Sequence, residues 1–569
     1  MNLRRSLCLS AFLIGTGGLL AGCGGGSSGS GDATTAISGT VYASAVSGAR
    51  VTVRTTAGDT IAGPVTSGDD GSYTIQVPND RLSGALIIEA QGGTYTDEAT
   101  GLQVSDAGSL TAYVMGEELS TKPKVALTPG STILEMLVTE HGKTLREAEE
   151  IFATAFGYTP DSTILPAATG EEPQQRAVLR AGAFSRLNMD LGLRAADQFE
   201  LLKAIARDLS DGTADGSDSS GPVDIGTTGK RLPADPQNRF ARALAGFFAS
   251  ANSPTDLTAD KIGPIPQGNV VLTDSYRIER TSMMGPTEGK STCTLAITNK
   301  TDGTPATGLT ISLMPVMNMA MHNHSTPVDG CVEQTDPAGT YRCTVYYLMA
   351  SKMMNGMSMG FWDMKVMIGG MDGEEAHFYP DVKMAMGGDT VKAVLLGQND
   401  RIAGMNSMSM NQGGGMEEGH QMQMSAMDMG DDTTPENRKY YLFNDGITGT
   451  TGNHTFNLFI ATKENMMSYP AVSVGTVLKD ENGNDWTVNS MSVEVSTDQT
   501  NWIAATDKGG GHWSAAGVTG LTDGSRGTLY VRLIVEGEQK TDDGNAPDGV
   551  ADNAVFEVTP GGSSMSMGM

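Results

Sequence analysis

The sequence predicts a multidomain, mainly β protein: an N-terminal β-sandwich, a small α-helical domain, then two more β-sandwiches with a methionine-rich disordered insert. Three observations predict it. Short segments alternating apolar and polar residues, separated by Gly/Asp/Asn turn signals, fill the start and the second half of the chain. Apolar residues at helical spacing fill the stretch between them. At about 150 residues per domain, 569 residues leave room for three or four domains.

In chain order, residues 1–22 have the parts of an export signal. Arg4 and Arg5 open it, and an apolar run follows at 9–20. That run is short of the ~20 apolar residues needed to cross a bilayer. The quartet LAGC (20–23) resembles the lipobox of bacterial lipoproteins, which implies cleavage before Cys23 and lipidation of that cysteine. Several acyl chains anchor firmly where one binds marginally. The alternative is an ordinary secretory signal with a chance cysteine. Residues 23–35 read as a Gly/Ser tether. Gly24 stands where an aspartate would resemble an inner-membrane retention signal, so the expectation is an exported lipoprotein of the outer membrane, touching the bilayer through its anchor only.

The charge balance is 38 Lys+Arg against 66 Asp+Glu, a net of −28. Such an excess argues against nucleic acid or anionic lipid as partner and suits an exported protein that attracts cations.

Residues 36–127 carry ISGTVY (37–42), ARVTV (49–53) and YTIQV (73–77) as strands, with DDG (69–71) as a tight turn. This pattern resembles the carboxypeptidase-regulatory-like sandwich, which implies a spacer or binding module without catalytic residues. Residues 128–262 are expected to be helical, and Thr144 followed by Glu147 reads as a capping box. The acidic loop 208–218 has oxygen ligands at spacings that suit calcium, but also reads as a solvated loop ending a helix. Residues 269–398 return to β, 399–435 form a methionine-rich low-complexity linker, 436–560 form a C-terminal sandwich, and 561–569 a Met/Ser tail. The loop 542–552 repeats the calcium option, and His454 and His512 read as hydrogen-bonding groups more readily than as ligands.

Methionine is the unusual residue. Of 34, 22 lie between positions 314 and 429. Met349, Met364, Met367 and Met384 have apolar companions and read as core. Residues 405–429 do not: eight methionines and His420 stand among Asn, Ser, Gln, Gly, Glu and Asp, which build no core. Exposed thioethers oxidise outside the cytoplasm, so a compensating use is expected. Thioether is soft, neutral and needs no deprotonation, which selects Cu(I), and imidazole adds affinity for Cu(II). The candidate ligands are Met314, Met317, Met319, Met321, His322 and His324, then Met353, Met354, Met357 and Met359, with His420 in a multi-ion tract. On a strand Met317, Met319 and Met321 share one face, so a turn near Asn323 is needed to bring the histidines to them.

The order MPVMNMAMHNHSTP (314–327), GTY (339–341) and GFW (360–362) resembles the FixH/YtkA-like family. That likeness implies immunoglobulin-like sandwiches, a periplasmic role in copper handling or cytochrome-oxidase maturation, and Met321, His322 and His324 as ligands; a protein that passes copper on would need a copper-delivery partner. Of the three cysteines left after the lipobox, Cys331 and Cys343 flank a turn-rich segment and are the favoured disulfide, with Cys293 over. No G-x-S-x-G, H-E-x-x-H, C-x-x-C or phosphate loop occurs, so no enzyme is expected. The rival to copper binding is a structural or adhesive surface lipoprotein whose methionine tract is a linker or an oxidant sink.

Overall fold

The computed structural model describes residues 33–281, 285–370, 372–404, 434–548 and 552–561. The architecture is mainly β. Among the described residues no helix is long and apolar enough to cross a membrane.

The first sandwich pairs a three-stranded sheet (Ser72–Pro78, Thr34–Val41, Lys124–Leu127) with a four-stranded one (Thr60–Thr66, Arg50–Thr55, Ala85–Gln91, Ser109–Met115). Alternation drives it: Tyr73, Ile75 and Val77 are buried while Ser72, Thr74 and Gln76 are exposed. The helices Pro129–Thr139, Leu145–Phe156, Glu172–Asp190, Gln198–Asp208 and Pro236–Phe248 follow. Thr144 and Glu147 cap the second of these reciprocally. Sandwich and helices share one continuous apolar core, running from Ile37 to Ile262. The expected boundary at 127/128 therefore divides chain segments and not cores.

The second sandwich stacks the sheet Val270–Leu272, Tyr276–Arg280, Gly289–Asn299, Thr340–Tyr347, Val328–Gln334 on the sheet Asn323–Ser325, Ile311–Met319, Gly360–Ile368, Glu374–Phe378. Trp362, Tyr341, Tyr347 and Phe378 are the large aromatic side chains of its core. The third has one sheet of Lys392–Ile402, Glu436–Thr450, Asn453–Thr462, His512–Val518 and Thr506–Gly509. Its other sheet is built on Met491–Ser496 and Gly527–Val535. Here an expectation is corrected. Lys392–Ile402 pairs with Glu436–Thr450, so the methionine tract joins neighbouring strands of one sheet and does not link two domains.

The two C-terminal sandwiches are docked. Tyr346 of one stacks on Phe459 of the other at 4.0 Å, and Lys290 Nζ reaches Asp445 at 2.7 Å. Large flat aromatic contact plus a half-buried ion pair holds two rigid bodies in one register.

Candidate metal centre

Strand Ile311–Met319 carries the methionine segment, and its alternation decides which thioethers meet. Leu313, Pro315 and Met317 turn inward, while Met314, Val316 and Asn318 lie on the other face. The chain reverses at 320–322, and Asn323–Ser325 runs back with His324 directly opposite Met317. Trp362 is the partner of Met317 on its other side. Directly opposed residues share a face at roughly 5 Å, so His324, Met317 and Trp362 form a row across three strands. The His324 and Trp362 rings meet edge to face with centroids 5.5 Å apart.

Gly360 makes this row possible. Its φ is +145°, and a Cβ there would sit 1.9 Å from the Asn318 carbonyl oxygen. Trp362 Nε1 donates to the Met349 carbonyl at 3.2 Å, which fixes residue 349 beyond the end of strand Thr340–Tyr347. The Met349 thioether sulfur then lies 3.2 Å from His324 Nε2.

The other ring nitrogen of His324, Nδ1, is 2.7 Å from the Ser325 carbonyl oxygen. A carbonyl only accepts, so Nδ1 holds the proton of the neutral ring and Nε2 presents a lone pair. Burial lowers the His324 pKa, and the nearby His322 and Lys463 lower it further. The neutral form is therefore the resident one. A nitrogen lone pair and a sulfur lone pair face one spot, with the opposite N–H held by a carbonyl, as in imidazoles oriented toward a metal. His324 Nε2 and the Met349 thioether are the two groups that would hold a soft ion here.

Most of the other expected ligands do not converge there. Met314 lies on the opposite face of the sheet from Met317. Met317 is fully buried and Met319 half-buried, both packed in the apolar core. Met321, 74% exposed, and His322 occupy the turn, with the His322 ring 6.3 Å from that of His324. The turn falls at 320–322, so Asn323 is already in the return strand opposite Asn318. Met353, Met354 and Met357 are exposed in the loop after Met349, which Met353 closes on Met357 through a 2.9 Å backbone bond. Met359 returns half-buried against the core. Met349 packs half-buried against the core, as its apolar neighbours suggest, and it is also the thioether that meets His324. Its signal in the sequence was only its place just before the methionine loop. His420, the tract 405–429 and Cys23 lie outside the described residues.

Other candidates resolve differently. His512 sits between carboxylates, Nε2 3.0 Å from Asp329 and Nδ1 3.3 Å from Asp445, and His454 Nε2 is 2.8 Å from Asp523. In the 208–218 loop Asp208 accepts from the Ser217 N–H at 2.9 Å, and burial pushes its pKa up to about 7. That carboxylate organises its own loop. Asp542, Asp543 and Asp552 bring oxygens within 4.8 Å of one another. Cys331 and Cys343 form a disulfide between directly opposed residues, and Cys293 faces Cys343 from the other neighbouring strand as a free thiol.

No protein-family profile and no curated protein matches the chain. Among solved structures it is similar to the Yersinia pseudotuberculosis adhesin InvE (12% identity, 46% of this chain and 55% of that one, TM-score 0.14). It is also similar to domains 5–6 of the S-layer protein SbsC (13%, 51% and 99%, TM-score 0.14) and to the Escherichia coli adhesin FdeC (16%, 51% and 66%, TM-score 0.13). The chain thus spans about half the length of the InvE structure.

Proposed function

We propose that this chain is a lipid-anchored, outer-membrane copper-binding protein that sequesters Cu(I) and Cu(II) outside the cytoplasm or passes them to a delivery partner. One observation carries the reading: the unprotonated Nε2 of buried His324 and the thioether of Met349 face each other at 3.2 Å with no carboxylate between them. A nitrogen–sulfur donor pair without oxygen suits a soft ion; calcium and magnesium take oxygen ligands. The donors at this pair are already proton-free at neutral pH, so binding releases no proton there.

Two further features support the reading. Among the described residues, six of the eleven exposed large hydrophobic side chains are methionine: Met321, Met353, Met354, Met357, Met386 and Met467. Thioether is therefore the most frequent large apolar group on the described surface. Among the described residues thiolate is not on offer in its place, because Cys331 and Cys343 are oxidised and burial pushes the Cys293 thiol up to about 11.

The test is titration of the mature chain with Cu(I) against a chromogenic competitor, with His324→Ala and Met349→Leu beside the parent. Tight binding that both substitutions weaken upholds the proposal. Failure to take Cu(I) from a weak competitor would leave the structural or adhesive reading in its place.

A further inference from the structure

The last sandwich gathers Arg438, Lys540, Asp400, Glu464 and Glu538 near the end of strand Lys392–Ile402. The Arg438 and Lys540 side chains are buried, as are those of Asp400 and Glu464. Charges taken out of water are costly unless they are well paired. Arg438 is well paired: its Nε donates to Asp400 Oδ1 at 2.7 Å, and its Nη1 donates to Glu464. Lys540 is placed differently. Its Nζ lies 3.3 Å from Asp400 Oδ2 and 2.9 Å from Glu538 Oε1.

These groups come from both sheets. Asp400 lies on strand Lys392–Ile402 of one sheet, and strand Glu538–Lys540 forms an edge of the other. Leu396 and Thr541 exchange main-chain hydrogen bonds at 2.6 and 3.1 Å, which ties the two segments together. An amine nitrogen is thus held in a dry seam beside one carboxyl group, with a second carboxylate touching it. Groups fixed at such a distance react as if at very high concentration.

We infer that Lys540 and Asp400 condense into an intramolecular isopeptide bond joining the two sheets, with Glu538 as the base. Lys540 first passes one proton to Asp400 Oδ2 across their contact, leaving a neutral amine beside a neutral acid. The amine lone pair attacks the Asp400 carboxyl carbon and forms the C–N bond, while Glu538 takes a proton from that nitrogen. Negative charge gathers on Oδ1, where the Arg438 guanidinium already donates. The bond from carbon to Oδ2 then breaks, and that oxygen receives the proton from Glu538 and leaves as water. Tyr440, whose hydroxyl donates to Oδ2, positions the leaving oxygen. One ammonium and one carboxylate become one amide and one water, and nothing is oxidised or reduced. Two buried charges disappear with their desolvation cost. Glu538 keeps partners afterwards, accepting from the Gln398 N–H at 2.7 Å and the Asn399 N–H at 3.1 Å. The inference is independent of copper.

The experiment is a peptide map of the full mature chain, denatured, reduced and digested with trypsin, and read by mass spectrometry. The expected map contains one species that joins the peptides of Asp400 and Lys540, lighter by one water than the two apart. Cleavage after Lys540 is expected to be missing, because its side chain is no longer charged. Lys540→Met and Asp400→Ala should each return the two peptides unlinked. Glu538→Gln keeps the side-chain shape, and should slow the appearance of the link in freshly expressed chain about 100-fold, the low end of what a general base supplies. A parent map in which the two peptides run wholly apart overturns the inference, and decides it even where a variant fails to fold. A link that appears in Glu538→Gln at the parental rate overturns the part given to that residue.

Discussion

The last two sandwiches treat two of their histidines in opposite ways. His512, in the final sandwich, is clasped by Asp445 and Asp329, and the hydrogen bond to Asp445 leads in pushing its pKa up to about 9. It is a cation at neutral pH that fastens one sandwich to the other. His324, in the preceding sandwich, has a carbonyl on one nitrogen and a thioether on the other, and burial pushes its pKa down. It keeps a nitrogen lone pair for use. Both rings are held; the chemistry of the partners decides whether the imidazole is a structural charge or a neutral donor.

The hardest blow to this contrast is copper affinity itself. His324→Ala is expected to raise the Cu(I) Kd about 100-fold and Met349→Leu about tenfold, in the range for disturbed metal sites. His512→Gln and His454→Gln should leave it within about twofold. A competitor titration in which His512→Gln costs as much as His324→Ala would erase the distinction.

Gly360→Ala tests whether the His324 row depends on close strand approach. With its carbonyl clash and left-handed φ, it should destabilise the chain by about 3 kcal/mol in urea unfolding. Replacing Cys331 and Cys343 by serine opens a loop with a sequence separation of 12, and should cost a similar ~3 kcal/mol. The folded variant should bind copper as before, because the disulfide lies in the sheet opposite His324.

A gentler test is pH. The His512 pKa is about 9 in the folded chain against an ordinary 6.5. Its stabilisation is whole below pH 6.5 and is lost as pH rises through 9. For His324 the folded pKa is lowered, so its contribution is present above pH 6.5 and is lost on acidification. His512→Gln should flatten the alkaline limb of a stability–pH profile by about 1 kcal/mol, the scale of a partly exposed ion pair. His324→Ala should flatten the acid limb. Profiles with both losses on the same limb would contradict the assignment. Smallest of all is Met354→Leu at a position 86% exposed: stability within about 0.5 kcal/mol and unchanged copper affinity at the His324 pair.

Local features were legible where they depend on neighbours in sequence. The Thr144–Glu147 cap needs only three residues, and the inward row Ile311, Leu313, Pro315, Met317 is a period-two pattern. The apolar company of Met364 and Met367 announced their burial. The partner of His324 was not legible in this way. Met349 is 25 residues away in an apolar run, a separation that no local pattern bridges. That the strands on either side of the methionine tract pair with each other was not legible, since strand pairing is a non-local choice.

By itself the sequence determined the supply of soft sulfur: 34 methionines against five cysteines, in thioethers that are neutral without losing a proton. The alternation of each strand follows from side-chain chemistry too, because a residue's face depends on its parity along an extended backbone. Only the tertiary structure decided which two donors meet. Strand reversal, the glycine contact at 360 and the Trp362 hydrogen bond set a distance of 3.2 Å between atoms that no spacing rule connects.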